Sequence, residues 1–412
     1  MNLLYNIFVS LAIVIIKLLA LFNKKLNLFV KGRRNVFKDL DIQLSDKNNV
    51  IWFHSASLGE FEQGIPIIEK LKEHYPNYKI LVTFFSPSGY EVRKNYPLAD
   101  CVTYLPFDTY NNAKKFIAKV NPKLAVFIKY EFWPNFLKVL KDTNTPTILV
   151  SGIFRENQLF FKGYGGFYRK ALQSFTHFFV QNKLSKNLLS NIGYTNVNVS
   201  GDTRFDRVNG IVKQREELAF IKAFSKDKLT LIAGSTWPED EALIVNYINN
   251  KATENERFII APHNIKEEAI LQLKKSIKKT VYRYSDTQKT QTAQVLIIDS
   301  IGLLTSIYAY ATLAYVGGGF NKSGIHNILE PATYGVPIII GPNYSKFKEA
   351  YDLIATKSCH SINSEDTFNK ILSTLIKNPN LIKSEGQKTK DYIKNNVGAT
   401  DIIYNFIDKL IS

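Results

Sequence analysis

The chain has 412 residues, 45% of them hydrophobic and 22% charged, with 53 Lys and Arg against 36 Asp and Glu, a formal net charge of +17. That length exceeds one ordinary core and suits two domains of about 150 to 200 residues, and the composition excludes a disordered or fibrous chain. The charge excess implies an anionic partner, while the distant cysteines Cys101 and Cys359 exclude a disulfide framework and lack metal-ligand spacing.

Residues 2–22, NLLYNIFVSLAIVIIKLLALF, form an apolar run long enough to cross a bilayer or to lie deep in its interface. Lys24, Lys25, Lys31, Arg33 and Arg34 follow the run instead of preceding it, the reverse of a secretory signal, so positive-inside logic keeps the body of the chain cytoplasmic. Lys17 interrupts the run and snorkels only if the segment is shallow or tilted. We expect a membrane anchor over residues 1–30.

Short apolar runs then alternate with amphipathic stretches. NVIWFHS, KILVTFFS, CVTYLPF, LAVFIKY, PTILVS and HFFVQN read as strands of one series, and LTLIAGS, RFIIAPH, AQVLIID, LAYVGGG and VPIIIGP as strands of a second. Helical segments separate most of them, which is βαβ punctuation and implies parallel sheets covered on both faces. GDTRFDRVNG marks the junction, giving domains over residues 31–205 and 206–412, the last helix packing back on the first. Two doubly wound domains bind ligands at the carboxyl ends of their strands.

Chemistry-bearing residues gather at those ends. In WFHSASLGEFEQ, the stretch Ser57-Leu58-Gly59-Glu60 fits a capping box, in which Glu60 returns to its own cap. The same carboxylate at a strand-to-helix handover could take a proton from an attacking hydroxyl, and we expect it to face the cleft. His54 lies inside the strand and reads as packed. FIKYEFWPNF places Glu131 at another strand end, either as a catalytic acid or as a dipole partner of the next helix, with Trp133 as packing. SGDTRFDR offers Arg204 and Arg207; an arginine reaching the cleft could hold a phosphate.

In the second series, Gly234 and Ser235 precede a helix opened by Pro238, an anion site by its free amides, although Glu239, Asp240 and Glu241 suit the same dipole. Pro262-His263 ends a strand, and Ile301, Gly302 and Leu303 expose amides at a third helix start. YVGGGFNKSGIHNILEPATYGVPIIIGP is the densest signal. Gly318 and Gly319 allow close backbone approach. Gly319 to Gly324 has phosphate-loop spacing, but Ile325-His326 stands where Lys-Ser/Thr is required, which excludes a Walker NTPase. His326, Asn327, Ile328, Leu329 and Glu330 open a helix, and Glu330 suits ribose hydroxyls.

SASLGE, EFWPN, GDTRFD, AGSTWPEDE, APH and VGGGF…GIHNILEPATYGVPIIIGP, in this order, resemble the 3-deoxy-D-manno-octulosonic acid (Kdo) transferases of lipid A biosynthesis over nearly the whole chain. The resemblance implies an α/β chain of the GT-B fold, with two Rossmann-like domains for lipid acceptor and CMP-Kdo donor. It implies inverting transfer without a metal or other cofactor, to the 6′-hydroxyl of a lipid A precursor, at the cytoplasmic face of a Gram-negative inner membrane. Carried over by residue, Glu60 matches the general base, and Glu131 and Arg204 the groups supporting the transition state. Pro262, His263, Ile301, Gly302, Leu303 and Asn327 to Glu330 match the CMP-binding segments. The family more often has Lys at Arg204 and often Glu at Leu303. The partners implied are CMP-Kdo, the lipid A precursor and inner-membrane phospholipid. Two other readings remain at this point: a GT-B enzyme using another nucleotide sugar on a membrane lipid, and a non-catalytic anionic-lipid-binding protein. Nucleic-acid binding is disfavoured, because the basic residues are dispersed rather than set in a stripe with stacking aromatics.

Overall fold

The computed structural model describes residues 2–44, 49–213, 217–286 and 293–412. The chain divides into two units, Met1–Arg207 with Val397–Ser412, and Val208–Asn396. Each is built on a seven-stranded parallel sheet.

The first sheet comprises β1 (Val50–Ser55), β2 (Lys79–Phe84), β3 (Cys101–Tyr104), β4 (Leu124–Ile128), β5 (Thr147–Gly152), β6 (His177–Val180) and β7 (Val197–Val199), ordered β3-β2-β1-β4-β5-β6-β7. All six residues of β1 are buried, as expected for a strand covered on both faces. Trp52, Phe127 and Phe136 fill one face; Phe53, Phe61 and Ile65 fill the other. Ile403 and Ile407 of the helix Ala399–Ile411 complete that second face, packing against the helix Leu58–His74.

The second sheet comprises β8 (Leu229–Thr236), β9 (Glu256–Pro262), β10 (Val281–Arg283), β11 (Val295–Ile297), β12 (Leu313–Val316), β13 (Ile338–Ile340) and β14 (Cys359–Ser361), ordered β10-β11-β9-β8-β12-β13-β14. In both sheets the strand order reverses beside the first strand. β1 pairs with β2 and β4, and β8 with β9 and β12. In open parallel sheets the crevice at the carboxyl ends of such a pair receives the ligand.

Of the two forms left open for the expected anchor, crossing the bilayer or lying in its interface, the structure does not support the first. No helix among the described residues is long and apolar enough to cross a membrane. The helix Asn2–Leu19 has 18 residues, about 27 Å at the usual rise, against a hydrocarbon core of about 30 Å. Its first turn is also tied to the body: Tyr5 Oη donates to Asp108 at 2.7 Å, and Asn135 Nδ2 to Asn6 Oδ1 at 3.0 Å. A segment held there by buried polar groups and carrying Lys17 in its last turn lies along the unit.

Candidate active site

The two reversal points hold the two candidate sites. In the first unit, β1 ends at Ser55 and the helix Leu58–His74 starts three residues later. Glu60 sits in its first turn, and its Oε2 accepts from Ser57 N at 3.0 Å and Ser57 Oγ at 3.2 Å. The expectation that Glu60 turns away from its cap is therefore corrected: the capping box forms, because an acid at this helix position satisfies an otherwise orphaned amide. Both bonds use one oxygen, which leaves Oε1 outside the cap. Burial raises the Glu60 pKa, the charge of Glu131 raises it further, and Lys129 opposes both.

Glu131 follows β4 and is buried. Its Oε2 accepts from Trp133 Nε1 at 2.7 Å and lies 2.9 Å from His54 Nε2. His54 Nδ1 lies 2.8 Å from Thr83 Oγ1, which accepts from Trp52 Nε1 at 2.8 Å. With the imidazole proton on Nε2, His54 donates to Glu131 and accepts from Thr83. His54 is thus packed, as its place in a strand suggested, yet it also fixes the acid. Trp133 does more than the packing expected of it. Lys129, which sequence reasoning passed over, has φ 69°. A left-handed non-glycine residue at a strand end is backbone strain of the kind that collects at functional sites.

Arg204 opens the helix Thr203–Lys213, whose Thr203 Oγ1 donates to the Gln63 carbonyl at 2.7 Å, one turn beyond Glu60. Its guanidinium is paired with Asp202, Nε at 2.8 Å and Nη2 at 2.7 Å from Oδ2. Arg207 pairs instead with Glu62 and Glu69.

In the second unit a cavity of about 260 Å³ lies at the ends of β8 and β12, where Ser235, Gly302, Thr305, His326, Asn327 and Glu330 converge. Glu330 Oε2 accepts from Thr305 Oγ1 at 2.9 Å and Oε1 from Asn327 Nδ2 at 3.0 Å. Gly302 has φ 94° and Ser235 φ 54°, so both walls bend sharply.

The other candidates divide by position. The His263 ring stacks on Trp237 at 4.7 Å and contacts His326 at 4.7 Å, and Trp237 Nε1 donates to His326 Nε2 at 3.1 Å. Burial and the neighbouring His263 push His326 down to about 4, so its imidazole is neutral. Trp237 was not singled out from sequence; only its place before Pro238 hinted at it. Pro262 closes β9. Ile301 is 86% exposed, whereas Ile328 and Leu329 are core residues, able to offer a ligand only backbone. Leu303 caps the short helix Leu304–Ile307.

Three of the glycine-loop and first-turn groups serve the fold. A Cβ on Gly319 would lie 2.6 Å from Gly341 backbone, and one on Gly234 2.1 Å from Tyr308 Oη. The amide of Gly318, a residue expected to allow close backbone approach, donates to Asp240 Oδ2 at 2.9 Å. Asp240 also accepts from Trp237 N at 2.9 Å and Tyr315 Oη at 2.6 Å.

Among known proteins, residues 30–207 match the family described as 3-deoxy-D-manno-octulosonic-acid transferase (kdotransferase). A 3-deoxy-D-manno-octulosonic acid transferase of Rickettsia bellii is 26% identical over 376 residues, covering 89% of this chain and 87% of its own. That of Chlamydia trachomatis is 28% identical over 363 residues, covering 84% and 82%. The UDP-GlcNAc 2-epimerase of Neisseria meningitidis bound to UDP-GlcNAc superposes with a TM-score of 0.60 at 15% identity, covering 87% and 100%. Paired parallel sheets with a ligand crevice at each reversal, and these relatives, define a glycosyltransferase of GT-B-like fold. Within that class, the chain is similar to the 3-deoxy-D-manno-octulosonic acid transferases, through the family match over residues 30–207 and through relatives that cover 84–89% of it.

Proposed function

We propose that the protein transfers Kdo from CMP-Kdo to the 6′-hydroxyl of a lipid A precursor by a single inverting displacement, without a metal or other cofactor. The observation that carries the reading is Glu60 at the first reversal point: an acid whose cap engages only Oε2 and whose proton affinity is raised by burial and by Glu131.

In this scheme Glu60 Oε1 takes the proton of the acceptor hydroxyl, whose oxygen attacks the anomeric carbon of Kdo. The bond from that carbon to the CMP phosphate breaks, and CMP leaves as an anion. A base works best with a pKa raised toward the working pH, and general-base catalysis of this kind contributes about 10²- to 10⁴-fold. Glu131, held by His54 and Trp133, raises the pKa of Glu60 and so strengthens it as a base. Arg204 would exchange Asp202 for the departing phosphate. Glu330 would receive the ribose hydroxyls, and the stacked Trp237, His263 and His326 would form the wall around the nucleotide.

We place the protein at the cytoplasmic face of the inner membrane, with the helix Asn2–Leu19 lying in the interface. Leu3, Leu4, Ile7, Phe8, Leu11 and Leu18 of that helix are all exposed. The test of the whole reading is to incubate the purified protein with CMP-Kdo and a lipid A precursor in detergent and to weigh the lipid. Failure to gain the mass of a Kdo unit, with gain from a different nucleotide sugar, would reassign the donor.

A further inference from the structure

After the helix Asn2–Leu19 the chain turns at residues 20–22 into the helix Lys24–Lys31. Asn23 Oδ1 pins the turn by accepting from the amides of Lys25 and Leu26 at 2.9 and 3.1 Å, and Asn27 Nδ2 donates to the Ala20 carbonyl at 3.1 Å. Beside this turn is a cavity of about 390 Å³ whose lining includes Lys17, Leu21, Lys31, Arg33, Arg34 and Phe107.

Arg33 is the unusual member. It is only 9% exposed, and no carboxylate pairs with it among the described residues. Its guanidinium lies 3.8 Å from the Phe29 ring centroid and within 5.1 Å of those of Phe85, Tyr104 and Phe107. Nη1 donates to the Phe29 carbonyl at 2.8 Å and Nη2 to the Phe85 carbonyl at 2.6 Å, while Nε is buried with no hydrogen-bond partner. Carbonyls and ring faces replace part of the lost hydration, but neutral groups do not cancel a full charge. Burial accordingly pushes the guanidinium down to about 9.

Lys17, Lys31 and Arg34 stand around it, also without an acidic partner among the described residues. The same turn exposes Leu21 at 72% and Phe22 at 90%. A caged cation, three further cations and an exposed apolar tip together match a molecule with one anionic end and apolar tails.

We propose that this cavity holds the phosphate of an anionic bilayer phospholipid, with Leu21 and Phe22 among its acyl chains. The proposal rests on the interfacial placement of the first helix and is independent of which sugar is transferred. It gives the membrane a fixed depth relative to the catalytic acids. Phe85, whose carbonyl Arg33 holds, packs its ring on Trp133 at 4.6 Å, and Trp133 donates to Glu131.

Sedimentation of the full chain with phosphatidylcholine vesicles, with and without phosphatidylglycerol, tests it. The wild type is expected to bind the phosphatidylglycerol vesicles, and Lys17→Gln/Lys31→Gln/Arg34→Gln to bind them roughly a hundredfold more weakly. The control Lys377→Gln/Lys383→Gln/Lys388→Gln, three exposed lysines of the second unit, is expected to stay within about threefold of wild type. Arg33→Met is expected to weaken binding at an unchanged melting temperature; if it melts early, the rim variant alone decides. Equal losses in both triple variants would mean diffuse charge attraction and overturn the pocket. A wild type that ignores every vesicle would overturn the interfacial placement with it. With a water-soluble, deacylated, phosphorylated acceptor the rim variant is expected to keep its KM. A raised KM would make the cavity an acceptor-phosphate site and overturn the phospholipid assignment. None of the vesicle readouts needs transfer, so a failed Kdo assay leaves them interpretable.

Discussion

In the proposed scheme Glu60 carries two tasks on one carboxylate. Its Oε2 closes the helix cap and its Oε1 stands clear of it. Glu60→Gln keeps an oxygen for the Ser57 amide, so the cap survives while the base is lost. Transfer should fall by about 10²- to 10⁴-fold, read as lipid product by mass spectrometry, with CMP binding retained. The sign of the stability change follows from linkage. A carboxyl whose folded pKa is raised favours the fold below its unfolded pKa and loses that contribution as pH climbs through the folded one. The Gln variant should therefore melt at or slightly above the wild type at neutral pH. A variant that melts early yet turns over normally would make Glu60 a cap alone. The same raised pKa puts the acid limb of kcat/KM above the ordinary glutamate range, activity rising as Glu60 deprotonates, and the Glu131→Gln variant should move that limb to lower pH. Trp133→Phe removes a donor from a buried carboxylate, about 1.5–3 kcal/mol, and should lower kcat roughly ten- to a hundredfold in a steady-state assay while KM for the donor stays put. At this scale the sequence was informative in types and silent in directions. The S-x-x-E spacing showed that two roles compete for Glu60. Only the structure shows that the cap engages a single oxygen of Glu60, or that the strand residue His54 reaches across to Glu131.

Elements were legible in proportion to burial. The central strands declared themselves as apolar runs: β1, β2, β4 and β5 in one sheet, β8, β9 and β12 in the other. The three strands not read, β7, β10 and β14, are all sheet edges of three residues. An edge strand of that length needs no apolar run, since one side of it has no partner and little of it is covered. The glycine-rich loop misled in the opposite direction. Its glycines suggested close approach to a ligand, but Asp240 takes the Gly318 amide and so locks the helix Pro238–Asn250 to the end of β12. Asp240→Asn offers one acceptor oxygen and an amide group where three donors converge. The loss should be about 2–4 kcal/mol, seen as a melting transition lower by roughly 5–10 °C. CMP affinity, measured by calorimetry, should fall as well, because Trp237 loses its amide partner and carries the stack against His263.

At the scale of the molecule, alternating strands and helices indicated two doubly wound units, and charge with an apolar first helix indicated a membrane. What periodicity and length could not weigh was a polar tether: Tyr5 and Asn6 lie inside the apolar run, and their partners Asp108 and Asn135 lie far along the chain. The C-terminal helix is the remaining long-range element. Ile403 and Ile407 are fully buried in the first unit, and the amides of Gly398 and Thr400 donate to Asp206 at 2.6 and 2.9 Å. Ending the chain at residue 396 should therefore destabilise the first unit and leave the second. Proteolysis should then release fragments of residues 2–207 while fragments of 208–396 persist.

That arrangement has a consequence for how the protein is made. The first core is missing a wall until the helix Ala399–Ile411 has been synthesised, after all of Val208–Asn396. At about 5–20 residues per second the interval is roughly 10 to 40 s, during which Ile65, Ile68 and the neighbouring strand faces are open to water and to other chains. Nascent chains of this enzyme should consequently be clients of ribosome-associated chaperones for longer than a protein with two sequential domains, and overexpression should fail by aggregation of the N-terminal half first.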